Sequence, residues 1–181
     1  MALVLGTNSG FVTTAPTADP AAIYPAIDTR AFVSKDASPA TAKRITEIGW
    51  WCDNATEEAN FELGLYAADG ISSPGEAGTL LHIERTNAKG TGAGWKTVAV
   101  DWAIDPSTDY WLGVQLDDTA TATNINHNTA GGLGFDYLDR RTSLPDPFGG
   151  GAFFADYLVA IYAVWDAGVS ANTTNFFQFM D

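Results

Sequence analysis

This 181-residue chain is short of cysteine, histidine and positive charge, with one Cys, two His and nine Lys and Arg, and each shortage excludes something. Cys52 alone cannot close an intrachain disulfide, so packing and hydrogen bonds must hold the fold. It directly follows Trp50-Trp51, where a small buried hydrophobe is the commonest role of a free cysteine. Neither histidine is near it in sequence to make it a nucleophile. His82 and His127 are 45 positions apart and give no zinc spacing. No Gly-x-Ser-x-Gly elbow accompanies them, so His82, in Leu80-Leu81-His82-Ile83-Glu84, reads as structural or exposed and His127, in a polar loop, as solvated.

Positive charge is scarce: nine Lys and Arg against 22 Asp and Glu leave a net charge of −13. Such a surface repels phosphate backbones and argues against nucleic acid as a partner. Its plain account is solubility, with calcium binding or a saline medium as the sharper alternatives. No segment approaches ~18 continuous apolar residues, the length of a membrane-crossing helix, so no membrane partner is expected. The N-terminal Met1-Ala-Leu-Val-Leu-Gly6 lacks a basic flank and is short for a signal peptide. The expected site of synthesis is therefore the cytoplasm, with secretion behind a removed leader as the alternative.

What the chain does have is alternation. In Trp95–Trp102, Val98, Val100 and Trp102 share one face, with Thr97, Ala99 and Asp101 on the other. In Tyr110–Leu116, Tyr110, Leu112, Val114 and Leu116 oppose Trp111, Gly113 and Gln115. Period 2 marks half-buried strands. The Ile104–Asp109 link between them is turn chemistry, so the two runs read as antiparallel strands over one core. Further strand candidates are Thr29–Ser34, Arg44–Trp51, Asn60–Ala67, Thr79–Arg85, Gly132–Tyr137 and Tyr157–Trp165. About eight short strands at this spacing predict a single all-β domain, an antiparallel β-sandwich of jelly-roll-like form. No helix is expected beyond one turn at Asn54–Ala59.

Residues 1–28 carry Pro16, Pro20 and Pro25 among Gly, Thr and Ala, and read as an extended arm or a cover over a sheet edge. Residues 168–181 carry three phenylalanines among the last six positions and read as a tail that docks on its own sheet or on a neighbour. Tyr157–Trp165 is apolar on both faces, as for a central strand or a subunit contact. The long breaks 117–131 and 138–155 are of the length that usually carries function or interface arms.

Three constellations could carry chemistry. Glu47 and Glu62 fall on neighbouring strand candidates and would be the acid pair of a small glycosidase if they faced one another. Asp117 and Asp118, with Asp101, Asp105 or Asp136, offer hard oxygen ligands for a structural calcium; no other cofactor is expected. Trp51, Trp95 and Trp111 are the tryptophans least obviously buried by alternation and are the candidate stacking platform for a glycan. Asn54-Ala-Thr56 and Asn172-Thr-Thr174 fit the glycosylation pattern by chance.

The order Ile45-Thr-Glu-Ile-Gly-Trp-Trp-Cys-Asp-Asn, Phe61-Glu-Leu-Gly-Leu-Tyr, Pro74-Gly, Leu80-Leu81, Gly94-Trp-Lys-Thr-Val and Thr108-Asp-Tyr-Trp-Leu-Gly-Val-Gln-Leu resembles a β-sandwich module of phage virion surface proteins and secreted bacterial carbohydrate-binding domains. The resemblance covers about 70 residues in the middle of the chain and consists of core and turn positions. It implies a sandwich used as a non-catalytic surface or sugar-binding unit, and it brings no catalytic set. The leading expectation is a virion protein: a capsid decoration, head-fibre or tail-associated domain, not an enzyme, forming homo-oligomers and contacting other virion proteins and a surface glycan. A carbohydrate-binding module is the alternative, and a jelly-roll glycosidase comes third.

Overall fold

The computed structural model describes residues 1–20, 24–26, 30–53, 60–71, 75–85, 88–116, 124–125, 127–129, 134–149 and 157–168. Among these there is no helix, and thirteen strands follow in chain order. They are β1 (Gly10–Val12), β2 (Tyr24–Ala26), β3 (Arg30–Ala37), β4 (Arg44–Cys52), β5 (Phe61–Ala67), β6 (Leu80–Glu84), β7 (Gly94–Ala103), β8 (Asp109–Leu116), β9 (Asn124–Ile125), β10 (His127–Thr129), β11 (Phe135–Asp139), β12 (Tyr157–Val159) and β13 (Ile161–Asp166). A five-stranded sheet runs β11-β3-β8-β5-β6, and a six-stranded sheet runs β1-β13-β4-β9-β2 with β7 beside β4. β10 and β12 form a separate ribbon. All pairings between these thirteen strands are antiparallel except β1 with β13. The fold is an all-β sandwich.

The alternating residues explain the layering. Inward-facing Ile45, Ile48, Trp50, Trp102, Ile161 and Ala163 of the six-stranded sheet meet Phe32, Phe61, Leu63, Leu65, Leu112 and Val114 of the five-stranded sheet. This is one continuous core, with Val98 and Val100 at its margin.

The two runs that read as a pair in sequence do share this core, but they are not hydrogen-bonded to each other. β7 pairs with β4, and β8 pairs with β3 and β5. Ser38 explains the crossing. Its N–H donates to Thr108 O at 2.9 Å, its hydroxyl donates to Asp105 O at 2.6 Å, and its carbonyl accepts from Ser107 N at 3.1 Å. Ile104 N also donates to Lys43 O, so the Pro106 turn is fastened across the end of the sandwich instead of closing a hairpin.

Tyr157–Trp165 is not one strand either. The chain breaks at Ala160, whose carbonyl accepts Trp51 N, so β12 joins the β10 ribbon while β13 enters the large sheet between β1 and β4. Of the two readings of the N-terminal segment, residues 10–12 take the edge position, pairing with Tyr162, Ala163 and Val164. Residues 54–59 and tail residues 169–181 lie outside the described residues.

Candidate functional site

Each sheet has a second, outward face, and the polar side chains concentrate there. On the five-stranded sheet, alternation turns Glu62, Gly64 and Tyr66 of β5 and Trp111, Gly113 and Gln115 of β8 away from the main core. Direct cross-strand pairing sets Glu62 beside Gln115, Gly64 beside Gly113 and Tyr66 beside Trp111. Residues 140–149 run over this face as a strap, with Leu144 and Phe148 buried in a second apolar cluster beside Ala31, Val33, Tyr66 and Trp111.

Glycine makes the space. A Cβ at Gly64 would lie 2.8 Å from Leu144 Cδ1, and one at Gly113 would lie 3.0 Å from Tyr66 Cε2. The strap's backbone is held by side chains of the face beneath it. Glu62 Oε2 accepts Leu144 N at 2.5 Å, Gln115 Nε2 donates to Arg141 O at 2.7 Å, and Tyr66 OH donates to Pro145 O at 2.9 Å. The other carboxylate oxygen of Glu62 accepts from Arg85 Nε at 2.9 Å, so a side chain only 9% exposed keeps a partner for its charge. Asp146 Oδ1 takes Leu80 N, and Phe148 N donates to Gly78 O. Burial, with the nearby Glu62 and Asp146 charges, pushes the Tyr66 phenol well above its ordinary value.

On the outer face of the six-stranded sheet Trp51 pairs across the strands with Trp95, their rings edge to face at 5.5 Å. Trp95 meets Tyr162 in the same manner at 5.2 Å and donates its Nε1–H to Ala18 O. Leu3, Leu158 and Ala160 complete the apolar cover. Tyr162 lies against Gly49, where a Cβ would come within 2.7 Å of the ring, and its hydroxyl donates to Glu47 Oε1 at 2.5 Å. Burial raises the Tyr162 phenol too, with the Glu47 hydrogen bond adding to it.

The three platform tryptophans therefore do not form a row. Trp111 is fully buried on the other sheet, with its Nε1–H on Gly75 O, and Trp51 is 7% exposed; only Trp95 keeps appreciable surface. Both buried rings are closed over by chain segments remote in sequence, which alternation cannot reveal. Glu47 and Glu62 are not on neighbouring strands: β4 and β5 belong to different sheets, and each carboxylate points to the outside of its own. The two do not face one another across a cleft, as an acid pair requires.

Asp117 and Asp118 lie outside the described residues. Of the acids grouped with them, Asp101 pairs with Arg44 and Asp136 Oδ1 accepts Tyr137 N, while Asp105 is exposed. Among the described residues no three His, Cys, Asp or Glu side chains gather as a metal would need. His82 stacks flat on Trp102, with centroids 5.3 Å apart, and Cys52 is buried in the main core. Strap residues Leu144 and Phe148 had no signal beyond being apolar in a break, and the strap they anchor supplies the partners of Glu62, Gln115 and Tyr66, at Leu144 N, Arg141 O and Pro145 O.

Comparison with protein families, with curated proteins and with solved structures finds no match for the chain.

Proposed function

We propose that the chain is a non-catalytic structural or surface protein of a virion, a capsid decoration, head-fibre or tail-associated domain. It acts through contacts between copies and with other virion proteins. One observation carries the non-catalytic part: among the described residues, Glu62, Gln115, Tyr66 and Glu47 of the two outer faces are engaged with the protein itself. Glu62, Gln115 and Tyr66 hold the strap, and Glu47 holds Tyr162. A catalytic or ligand site needs such groups directed at an open pocket. The low charge, the strongly acidic balance and the resemblance to virion sandwiches support the rest. Light scattering coupled to size exclusion tests it. A defined trimer or larger ring supports assembly through subunit contacts, and a clean monomer of 19.2 kDa overturns it.

A carbohydrate-binding module is the second reading, favoured by Trp95. Its ring retains surface, is fixed by the bond to Ala18 O, and stands beside Tyr162, which contacts the Glu47 carboxylate. A glycan array run with the wild type and Trp95→Ala separates the two readings.

A further inference from the structure

Edge strands expose main-chain groups that can pair with another chain, and this sandwich treats its edges unequally. On β1, β6 and β11 an aspartate carboxylate takes a main-chain N–H: Asp36 that of Phe11, Asp146 that of Leu80 and Asp136 that of Tyr137. β7 is the exception. It is ten residues long, the longest of the thirteen strands, and pairs along one side only, with β4. Which groups it leaves open follows from β4. Trp51 N donates to Ala160 O, away from β7, and Trp51 is the cross-strand partner of Trp95. In an antiparallel ladder, opposite residues turn their main-chain groups either toward one another or both away, in alternation. The N–H and C=O of Trp95, Thr97, Ala99, Asp101 and Ala103 therefore point to the open side, while those of Lys96, Val98 and Trp102 face β4. Ile104 N, which donates to Lys43 O, keeps the same phase at the far end. Among the described residues no main-chain group takes the open row. The usual guards are missing too. β7 holds no proline, the Lys96 ammonium is turned back onto Lys89 O and Gly92 O, and Asp101 is held by Arg44.

We propose that β7 pairs through this open row with β7 of a second copy, antiparallel and centred on Ala99. Main-chain bonds give an added strand its affinity, and alternate side chains give it its register. β7 is its own complement in this register. Each Val98 meets the partner's Val100, which covers the valines that the core leaves half-buried at its margin. Each Asp101 meets the hydroxyl of the partner's Thr97, and the small, exposed Ala99 meets itself at the two-fold. Centring on Val98 would instead set Val100 against Lys96, and centring on Asp101 would put two carboxylates face to face. The contact is isologous, so the same patch serves both copies. The proposal rests on the subunit-contact reading above and gives it one two-fold contact.

Light scattering and cross-linking of the full chain test it. Ala99→Pro removes an N–H from the open row and none from the β4 ladder, which is where an edge strand tolerates proline. The expected result is a protein with the wild-type circular dichroism spectrum and half the wild-type mass. If that variant does not fold, Ala99→Lys carries the measurement, because like charges directly opposite one another repel. Ala99→Cys places a thiol at the two-fold, where facing Cα atoms lie about 5.5 Å apart, within reach of a disulfide. Asp101→Cys is the control, since its two copies would lie about 14 Å apart along the paired strands. Cys52 is buried and does not compete. Mild oxidation should join Ala99→Cys into a covalent dimer at least about tenfold faster than Asp101→Cys. A wild-type oligomer whose mass survives Ala99→Pro, with equal cross-linking at the two positions, overturns β7 pairing and preserves the subunit-contact reading. A wild-type monomer that cross-links selectively at position 99 upholds the β7 contact and overturns stable assembly. A monomer that cross-links at neither position overturns both.

Discussion

Glu62 and Gln115 are direct cross-strand partners on the outer face of the five-stranded sheet, and each fastens the same strap by a main-chain group. Glu62 accepts Leu144 N, and Gln115 donates to Arg141 O, three positions earlier. Glu62→Ala leaves a buried N–H without an acceptor and removes the partner of Arg85. Because Arg85 is 55% exposed and can return to water, the loss belongs to the N–H more than to the ion pair. The expected destabilisation is about 2–4 kcal/mol. Glu62→Gln retains an acceptor for Leu144 N and should lose about 1 kcal/mol. Urea unfolding of the three proteins checks the order, and an alanine variant as stable as the glutamine variant would remove the strap bond from the account.

Trp111 and Trp95 give opposite expectations although both sit at outward strand positions. Trp111 is enclosed by Gly75, Gly134 and the strap cluster, and a Cβ at Gly134 would reach within 2.5 Å of its ring. Trp111→Ala should destabilise the fold by about 3–5 kcal/mol, as for a fully buried aromatic. Trp95 keeps part of its surface, so Trp95→Ala should lose roughly half as much. Thermal melts of the two variants decide it; equal losses would mean that Trp95 is as enclosed as Trp111.

Alternation in the sequence shows which residues turn inward, and most strand positions follow from it. Thr79–Arg85 and Asn60–Ala67 match β6 and β5 to within a residue at each end. It does not show which sheet a strand joins, because that depends on what its turn is fastened to. The Pro106 turn would suit a hairpin, but it is fastened to Ser38, 67 and 70 positions before Asp105 and Thr108, and Ile104 N is fastened to Lys43 O, while β8 pairs in the other sheet. β1 is not legible in the sequence because Gly10-Phe11-Val12 is too short to alternate visibly and lies among Gly, Thr and Pro. The strap was illegible for a related reason. Leu144 and its acceptor Glu62 are 82 positions apart, and nothing local to either residue announces the other.

Two tyrosines predict a loss of stability in alkali. Tyr66 and Tyr162 are both held by burial and neighbouring carboxylates well above the ordinary phenol value near ~10. In the unfolded chain they ionise at that ordinary value, so above it the unfolded state binds fewer protons than the folded one. Stability then falls as pH rises from there. Absorbance of tyrosinate, followed beside circular dichroism, should show Tyr66 and Tyr162 ionising only as the fold is lost. Tyr162→Phe should remove part of this dependence, and an unchanged alkaline transition in that variant would exclude its hydroxyl as a cause.

Acid separates two aspartates of opposite sign. Asp69 accepts both the N–H and the hydroxyl of Thr79 at 2.7 Å, which holds its carboxyl below the usual range. Its contribution is present above the unfolded value of about 3.9 and is lost as pH falls through the lower folded value. Asp36 runs the other way. It latches β1 by accepting Phe11 N at 2.8 Å, but burial first, and the Asp109 charge last, raise its carboxyl despite the bonds from Phe11 and Ala37. The folded state therefore keeps this proton longer than the unfolded one. Its contribution to stability declines as pH rises from the unfolded value through the folded one. Asp69→Asn should flatten the acid limb of stability, whereas Asp36→Asn should steepen the rise of stability with pH above the unfolded value of about 3.9 by removing a group that opposes it. Urea midpoints measured on both sides of that value for both variants and the wild type read the two slopes directly. A shift of the same sign in both would mean that the Asp36 carboxylate is not desolvated beneath β1.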